Sequence, residues 1–316
     1  MTAYILRRLI LLVPVLLIVG VVVFALVHLT PGDPAAVILG QNATGEQIEQ
    51  LRDRLGLNEP LHIQFVEWFA GVLRLDFGES LFLNMPVTEA LWQRAQPTAL
   101  LTVYALTIQI AIGVPAGVVA AVRRNSIVDR ALMVMSISGA AIPTFFLGIL
   151  LILVFAVRFR WLPSGGFTSI TDDPIEHFKG MILPAFALGF SSAGLLARLV
   201  RSSMLDVMRE DYVRTALAKG MPERAVIVRH ALRNALIPAI TVIGYSLGAL
   251  LGGAVVTETV FTIPGMGRLV VQSISRRDYP IIQGAIMLIA ATYVLVNLLV
   301  DILYVYIDPR IRYGGD

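Results

Sequence analysis

The chain has 316 residues, of which 57% are hydrophobic and 15% charged, whereas soluble domains are roughly 45–50% apolar and about 25% charged, so its composition indicates a membrane protein. Because it contains no cysteine, a disulfide framework, a thiolate nucleophile and a cysteine-based metal site are excluded. The net charge of +3 does not indicate nucleic-acid binding, because the basic residues flank apolar runs and form no polybasic tract.

Six apolar runs are predicted to cross a bilayer as helices, because each is close to the ~20 residues that span ~30 Å of hydrocarbon. They are residues 9–29, 100–122, 131–157, 181–197, 236–257 and 281–304. The first run follows two arginines, as in a signal peptide, but it is too long for one and lacks a clear cleavage site. We therefore expect an uncleaved anchor and an all-α integral membrane protein with six transmembrane helices.

The Lys and Arg residues predict the orientation, because cytoplasmic loops are enriched in them. With the N-terminus inside, segments 1–8, 122–130, 198–235 and 305–316 contain 15 of the 25 Lys and Arg residues. The longer outer segments, 30–99, 158–180 and 258–280, contain the other ten. Both termini are therefore expected in the cytoplasm.

The outer loop 30–99 is the largest segment outside the predicted spans. It begins with a turn at 31–34, because two prolines restrict the backbone there. The apolar spacing predicts a short amphipathic helix at 46–55 and a second helical piece at 63–75, with Trp68 between phenylalanines. Two interpretations stay open: a docking platform for an external partner, or a cap anchored on the membrane surface by its aromatic side chains.

Glycine and proline within the spans predict how the helices pack. Gly113–Gly117 and Gly248–Gly252 are glycines four apart, a spacing that allows two helix backbones to approach closely. Prolines at 14, 115, 143, 184 and 238 can kink their helices. Either feature suits a moving pathway and equally suits ordinary irregular packing.

Ion-coupled transport and enzyme chemistry are both disfavoured. The ionisable candidates within the spans, His28, Glu258 and Asp301, lie near the ends of their runs, whereas coupled carriers place such groups deep in the membrane. No histidines are at metal-ligand spacing, and neither Lys179 nor Lys219 follows a glycine, so no phosphate-binding loop exists. We expect no enzymatic activity, catalytic residue, metal or cofactor, and any ATP is hydrolysed by another protein.

The predicted cytoplasmic segment 211–238 is a long charged insert between two apolar runs. On a short first helix, Arg214 and Lys219 point away from one apolar side. That side consists of Tyr212, Val213, Ala216 and Leu217. Gly220 can end the helix in a left-handed conformation, and Pro222 suits the first position of a second helix. An alternative is a solvated basic loop that binds anionic lipid.

Two stretches of this segment resemble a family signature. Residues 211–220 are similar to Asp-Tyr-x-Arg-Thr-Ala-Arg-Ala-Lys-Gly, with Leu217 in place of the second arginine, and residues 229–238 are similar to Arg-His-x-Leu-Arg-Asn-Ala-x-x-Pro. Both are typical of integral-membrane permeases of binding-protein-dependent ABC importers, in the dipeptide, oligopeptide and nickel branch. The general Glu-Ala-Ala signature fits poorly, because Arg214 stands at its acidic position. Further motifs of the branch follow in order along nearly the whole chain, most like the first of two permease subunits.

The resemblance implies a type I importer permease fold in the cytoplasmic membrane of a bacterium or archaeon. Its implied partners are a second permease, two ATP-binding subunits and an extracytoplasmic solute-binding protein. Residues implied to contact the ATP-binding subunit are Asp211, Tyr212, Arg214, Thr215, Ala216, Leu217, Ala218, Lys219 and Gly220. Residues implied to support the loop are Arg229, His230, Arg233, Asn234 and Pro238.

The resulting organisation is a first span (1–29), an extracytoplasmic loop (30–99), a five-helix core (100–308) with a cytoplasmic coupling loop (198–235), and a tail (309–316). The implied cargo is short peptides, with glutathione, nickel or a sugar left open. The other function that the sequence leaves open is a self-sufficient carrier or channel. Uptake by the isolated chain would distinguish it from a subunit that needs ATP-binding partners.

Overall fold

The computed structural model describes residues 2–29, 34–39, 43–54 and 56–307; side chains are not described for 2–12, 34, 37, 38, 51, 54, 301 and 303–307. Apart from one isolated bridge between Glu79 and Pro86, every regular element in these residues is a helix. The all-α prediction is therefore confirmed. The predicted turn at 31–34, apart from the backbone of Pro34, and the tail 309–316 lie outside the described residues.

The helices are α1 Thr2–Leu29, α2 Pro34–Leu39, α3 Gly45–Arg54, α4 Leu61–Leu73, α5 Val87–Val122, α6 Ile127–Ala141, α7 Thr144–Leu151, α8 Pro174–Val207, α9 Asp211–Ala218, α10 Glu223–Ala225, α11 Leu232–Val260, α12 Met266–Arg276 and α13 Tyr279–Ile307. Two π-helical segments, Ile152–Arg158 and Val226–Ala231, continue α7 and α10 respectively. In segment 30–99, α3 and α4 confirm the two helices predicted there.

Four described helical segments are long and apolar enough to cross a membrane: Val87–Val122, Pro174–Val207, Glu223–Val260 and Tyr279–Val300. A fifth candidate is the bent pair Ile127–Ala141 and Thr144–Arg158. In α1 the described side chains form a shorter apolar helix, Val13–Leu29. The count of six spans thus depends on α1 and on counting the bent pair as one span, and it stays a prediction.

The predicted third span, 131–157, is not one straight helix. Its two halves meet at an angle of 103°. Ile142 has extended backbone angles (φ −78°, ψ 124°) because the ring of Pro143 disfavours the helical conformation of the preceding residue. The kink predicted at Pro143 is confirmed. Pro115, Pro184 and Pro238, by contrast, lie inside helices that continue through them.

The helices extend beyond the apolar runs that predicted them. α5 begins at Val87, well before the predicted start of its span, because the more polar residues 87–99 belong to the same helix. α8 begins after Asp173, whose carboxylate accepts hydrogen bonds from the Ile175 and Glu176 backbone N–H groups at 2.9 and 3.1 Å. A search for apolar runs in the sequence detects only the part of each helix that would contact hydrocarbon.

The chain divides into two compact units. The first contains Met1–Gln96 and Leu269–Val294, and in it Phe24 of α1 packs on Trp68 of α4 with 5.8 Å between ring centroids. The second contains Pro97–Arg268 and Leu295–Asp316. In this second unit α8 packs against α6, α7 and α11.

Glycines allow the close helix contacts of the second unit. A Cβ on Gly117 would lie 2.6 Å from the Ala197 carbonyl oxygen of α8, and one on Gly113 would lie 3.0 Å from the Ala193 carbonyl oxygen. The packing predicted for Gly113–Gly117 is therefore confirmed. At Gly252 an added Cβ would meet nothing within 4 Å, so this end of the second glycine pair makes no close helix contact in the described chain.

Candidate functional site

The short helix α9 is anchored by the middle of its apolar side. Val213 and Ala216 are only 2% and 8% exposed. They form a buried cluster with Val226 of the following helix, and Val207 and Met221 pack against it. The end of α8 and the beginning of the next long helix therefore both contact α9, which ties this small helix to two long ones.

The C-terminus of α9 is closed at Gly220. Gly220 has φ +79°; its backbone N–H donates to the Leu217 carbonyl at 2.9 Å, and the Met221 N–H donates to the Ala216 carbonyl at 3.3 Å. This pair of bonds is a Schellman motif, in which glycine adopts the left-handed conformation at the least steric cost. The predicted end of the first helix is confirmed, and Met221 adds an apolar contact to the cap.

The flanks of the apolar side are exposed. Tyr212 is 42% and Leu217 46% exposed, so only the middle of the predicted apolar arc is buried. Arg214 and Lys219 are exposed beside them. The Arg214–Asp211 ion pair is long, at 3.8 Å, and exposed, so it adds little stability. Together with the exposed Thr215 and Ala218, these side chains form an apolar patch with a basic rim.

The second stretch of signature residues lies on the helix that follows. Asn234 donates from Nδ2 to the Tyr212 hydroxyl oxygen at 2.7 Å and to the His230 carbonyl oxygen at 3.2 Å. The structure therefore brings Asn234, His230 and Tyr212 together, with His230 in the π-helical segment. Arg229, Arg233 and Pro238 are exposed.

The second helix begins one residue later than predicted. Pro222 has ψ 136° and is the N-cap of α10, because this extended angle keeps it outside the helix. Its carbonyl oxygen accepts the first hydrogen bond, from the Ala225 N–H at 2.8 Å. From Glu223 the helix continues without a break to Val260, so the segment leads directly into a candidate span.

Sequence reasoning missed an ion pair near this region. Arg201 of α8 donates from Nε to Oδ1 of Asp129 at 2.7 Å and from Nη2 to Oδ2 at 2.8 Å. Oδ2 also accepts from the Asn125 N–H at 2.9 Å. The carboxylate thus fastens the turn between α5 and α6 to α8. The spacing of Ser126 and Asp129 is that of a capping box, and the Ser126 hydroxyl oxygen accepts from the Asp129 N–H at 3.2 Å. This spacing could have predicted from the sequence that α6 begins here.

Glu258 also has a role that the sequence did not reveal. It is fully buried and accepts hydrogen bonds from the Thr98 hydroxyl at 2.5 Å and from the Arg268 N–H at 3.0 Å. The Thr98 hydroxyl oxygen in turn accepts from the Met266 N–H at 2.8 Å. Gly265 lies against the carboxylate, where an added Cβ would come within 2.4 Å of its atoms. Glu258 therefore holds the turn that precedes α12.

Two family models match the chain. Residues 1–102 match the N-terminal region of the membrane component of binding-protein-dependent transport systems. Residues 113–313 match the inner-membrane component of the same systems. The chain belongs to this family. The predicted resemblance to ABC importer permeases is thus confirmed, and the chain is a multi-pass inner-membrane permease component.

Curated relatives align with this permease over their whole length. A probable peptide ABC transporter permease protein of Sinorhizobium fredii is 50% identical over 99% of the chain and 100% of the relative. A glutathione transport system permease protein of Salmonella choleraesuis is 45% identical with the same coverage. A putative peptide transport system permease protein of Brucella abortus is 43% identical, again with that coverage.

The fold of the permease is also found in a solved structure. A chain of the inward-facing MetNI methionine ABC transporter superposes with a TM-score of 0.57. The similarity covers 69% of this chain and 96% of the other, at 18% sequence identity. At this identity the comparison establishes a shared fold.

Proposed function

We propose that this permease forms half of the path by which short peptides enter the cell in an ATP-driven importer. The peptide and glutathione relatives support the cargo, because they match this chain from end to end at 43–50% identity. Glutathione is itself a tripeptide, so both kinds of relative indicate peptide-like solutes. Nickel and sugars remain the alternative cargoes.

The proposed topology has six spans with both termini in the cytoplasm. α1 is the first span, and the bent pair of α6 and α7 with its π-helical continuation is the third. The loop 30–99 is extracytoplasmic, the core is 100–308, and the tail is 309–316. The distribution of Lys and Arg supports this orientation, and it puts the coupling loop 198–235 on the side where ATP is available.

The proposed partners are a second permease, a solute-binding protein outside and two ATP-binding subunits inside. α9 is the proposed contact with an ATP-binding subunit. The observation that carries this proposal is the division of its apolar side: Val213 and Ala216 anchor the helix, while Tyr212 and Leu217 stay exposed. A force on the exposed side chains would therefore reach α8 and the 223–260 helix through the buried cluster.

The free energy that the transport cycle requires can be estimated from the shift between inward-facing and outward-facing states. Moving an inward-to-outward ratio from 99:1 to 1:99 requires ~5.5 kcal/mol of differential binding. The chain itself contains no phosphate-binding loop, so ATP binding and hydrolysis by the partner subunits would supply this energy.

The test is reconstitution of the chain in proteoliposomes, alone and with its partner subunits. We expect peptide uptake only in the complete complex with ATP. In that complex, Leu217→Ser should reduce solute-stimulated ATP hydrolysis and uptake at least about fivefold, the equivalent of ~1 kcal/mol, because it removes an exposed apolar side chain from the proposed interface.

Ile127→Ser is the matched control, because Ile127 is exposed on the same proposed face but lies outside the 211–238 segment. It should leave both activities within about twofold, and neither variant should alter the folded chain. Uptake by the isolated chain would contradict a subunit function. Equal effects of the two variants would contradict the assignment of α9.

A further inference from the structure

The first unit contains a cavity of about 320 Å³, near the lower end of the ~300–1,000 Å³ typical of small-molecule sites. It lies among the end of α1, the turn before α4, α4 itself and the beginning of α13. Its described lining consists of Phe24, Val27, His28, Gly56, Leu57, Gln64, Glu67, Trp68, Leu81, Tyr279, Pro280 and Gln283. In the proposed topology this is the extracytoplasmic end of the unit.

One wall of the cavity is aromatic and held in place. The Phe24 ring lies 4.2 Å from the His28 ring and 5.8 Å from the Trp68 ring, between centroids. The ring nitrogens of His28 lie 3.0 Å from the Phe24 carbonyl oxygen and 3.2 Å from Gln64 Oε1. Gln64 is fixed in turn by donating to the Leu57 and Glu59 carbonyls at 3.2 and 2.7 Å.

Three polar side chains of the lining have no partner among the described residues. Glu67 is exposed, and its carboxylate makes no hydrogen bond or ion pair there. Tyr279 is 7% exposed, and its buried hydroxyl has no hydrogen-bond partner. Gln283 is 8% exposed and makes no side-chain hydrogen bond among the described residues, although its polar atoms keep some contact with solvent. Buried polar groups are normally hydrogen-bonded, so the buried, unpaired Tyr279 hydroxyl beside this cavity indicates that a ligand completes the site.

The charges of the lining select the class of ligand. Glu67 is its one acidic side chain, and no lysine or arginine is among the described lining residues. Carboxylate, hydroxyl and amide oxygens can all accept hydrogen bonds, and a primary ammonium group has three N–H donors. The faces of Phe24 and Trp68 would add cation–π attraction.

We propose that this cavity binds a primary ammonium group, with Glu67 as counter-ion and Tyr279 and Gln283 as further acceptors. Two sources have this chemistry: the headgroup of an aminophospholipid, and the free amino end of a small solute such as a peptide. The site is a property of the first unit and does not depend on the proposed transport cycle.

The test uses the full-length permease in nanodiscs of phosphatidylglycerol, which carries no amine. The chain has three tryptophans, so Trp68 is the one that remains in a Trp92→Phe, Trp161→Phe background. Ethylammonium and dialanine amide are titrated, with ethanol and N-acetyl-dialanine amide as uncharged counterparts. We expect saturable changes in Trp68 fluorescence with the two ammonium probes alone, and retention of the same probes in equilibrium dialysis.

Glu67→Gln should weaken ammonium binding about ten- to hundredfold, because it removes a charge-assisted hydrogen bond. The matched control is Glu89→Gln, an exposed carboxylate of the same unit outside the cavity, which should change affinity less than twofold. Binding of the uncharged probes with equal affinity would overturn the proposal. Absence of saturable binding by both methods would do so as well.

The source is assigned by repeating the titration in phosphatidylethanolamine nanodiscs. Loss of ethylammonium binding there identifies the lipid headgroup as the occupant, and unchanged binding identifies a free amine. Since this measurement involves no transport, failure of ATP-driven uptake would leave the ammonium site intact. Failure of ammonium binding would likewise leave the transport proposal standing.

Discussion

At the scale of single residues, the Asp129–Arg201 pair shows how a charge can be held inside an otherwise apolar helix packing. Both carboxylate oxygens accept from the guanidinium, at 2.7 and 2.8 Å, in a two-bond fork. The fork needs a planar donor, which arginine has and lysine lacks. It also fixes the left-handed Asn125 (φ +63°), so the short turn between α5 and α6 has one defined conformation.

We predict that Asp129→Asn destabilises the permease by about 1–2 kcal/mol, because it leaves Arg201 without its counter-ion while part of that side chain stays exposed to water. The midpoint of thermal unfolding should fall, and Arg201→Gln should lower it similarly. The double variant should lose less than the sum of the two, since both changes break the same interaction.

Glu176→Gln is the control for this residue-scale prediction. Glu176 forms an ion pair with Lys179 at 2.8 Å, but both side chains are exposed, and such pairs contribute little. Its removal should leave the unfolding midpoint unchanged. If Asp129→Asn also leaves it unchanged, or if the double variant is strictly additive, the fork does not stabilise the turn.

At the scale of elements, the end of α9 depends on the backbone conformation of one glycine. Gly220 and Gly252 both have open space where a Cβ would be added. They differ in backbone conformation, because Gly220 has φ +79° and Gly252 lies within the α-helix α11. Replacing each glycine by alanine therefore compares the cost of a left-handed backbone at Gly220 with a helical site at Gly252, without steric crowding at either position.

Gly220→Ala should therefore destabilise the isolated permease in detergent by about 1 kcal/mol, the cost of a left-handed conformation for a residue with a Cβ. Gly252→Ala should stabilise it by about 0.5–1 kcal/mol, because alanine favours a helix interior. The measurement is the unfolding midpoint of each variant. Shifts of the same sign would contradict the role of backbone strain at Gly220.

The sequence predicts α9 well because its signals are local. Apolar spacing and a glycine after Lys219 are enough to predict a short helix and its end. The buried part of its apolar side could not be predicted, because Val213 and Ala216 are covered by side chains from two other helices. Similarly, Pro143 predicts a kink, but the 103° angle depends on packing around both halves.

At the scale of the whole molecule, contacts between distant parts of the sequence escape prediction. Thr98 and Glu258 are 160 residues apart, and Ser80 and Asp278 are 198 apart. Composition and charge predict the apolar helices and their orientation, since these depend on each helix alone. Which carboxylate meets which hydroxyl depends on the packed arrangement, for which a single sequence carries no local signal.

Asp278 provides the whole-molecule test, because it joins an early segment of the first unit to a late one. It is buried, and its carboxylate accepts from the Ser80 hydroxyl at 2.5 Å and from the Leu81 N–H at 3.3 Å. The Ser80 hydroxyl oxygen accepts from the Leu83 N–H at 2.9 Å. The turn after α4 is therefore fastened to the residue that precedes α13.

We predict that Asp278→Asn loosens this turn, because an amide nitrogen replaces one of the two accepting oxygens and cannot accept from Ser80 or Leu81. A loss of 1–2 kcal/mol corresponds to a rise of about 5–30-fold in local opening. Hydrogen exchange of residues 80–85 should accelerate by that factor, while the core of α8 exchanges as before.

Glu79→Gln, an exposed change in the same turn, should have no such effect. Equal acceleration in Asp278→Asn and Glu79→Gln would mean that Asp278 does not hold the turn. Acceleration in Asp278→Asn and Ser80→Ala but not in Glu79→Gln would show that one buried carboxylate fixes the contact between an early and a late segment of the first unit.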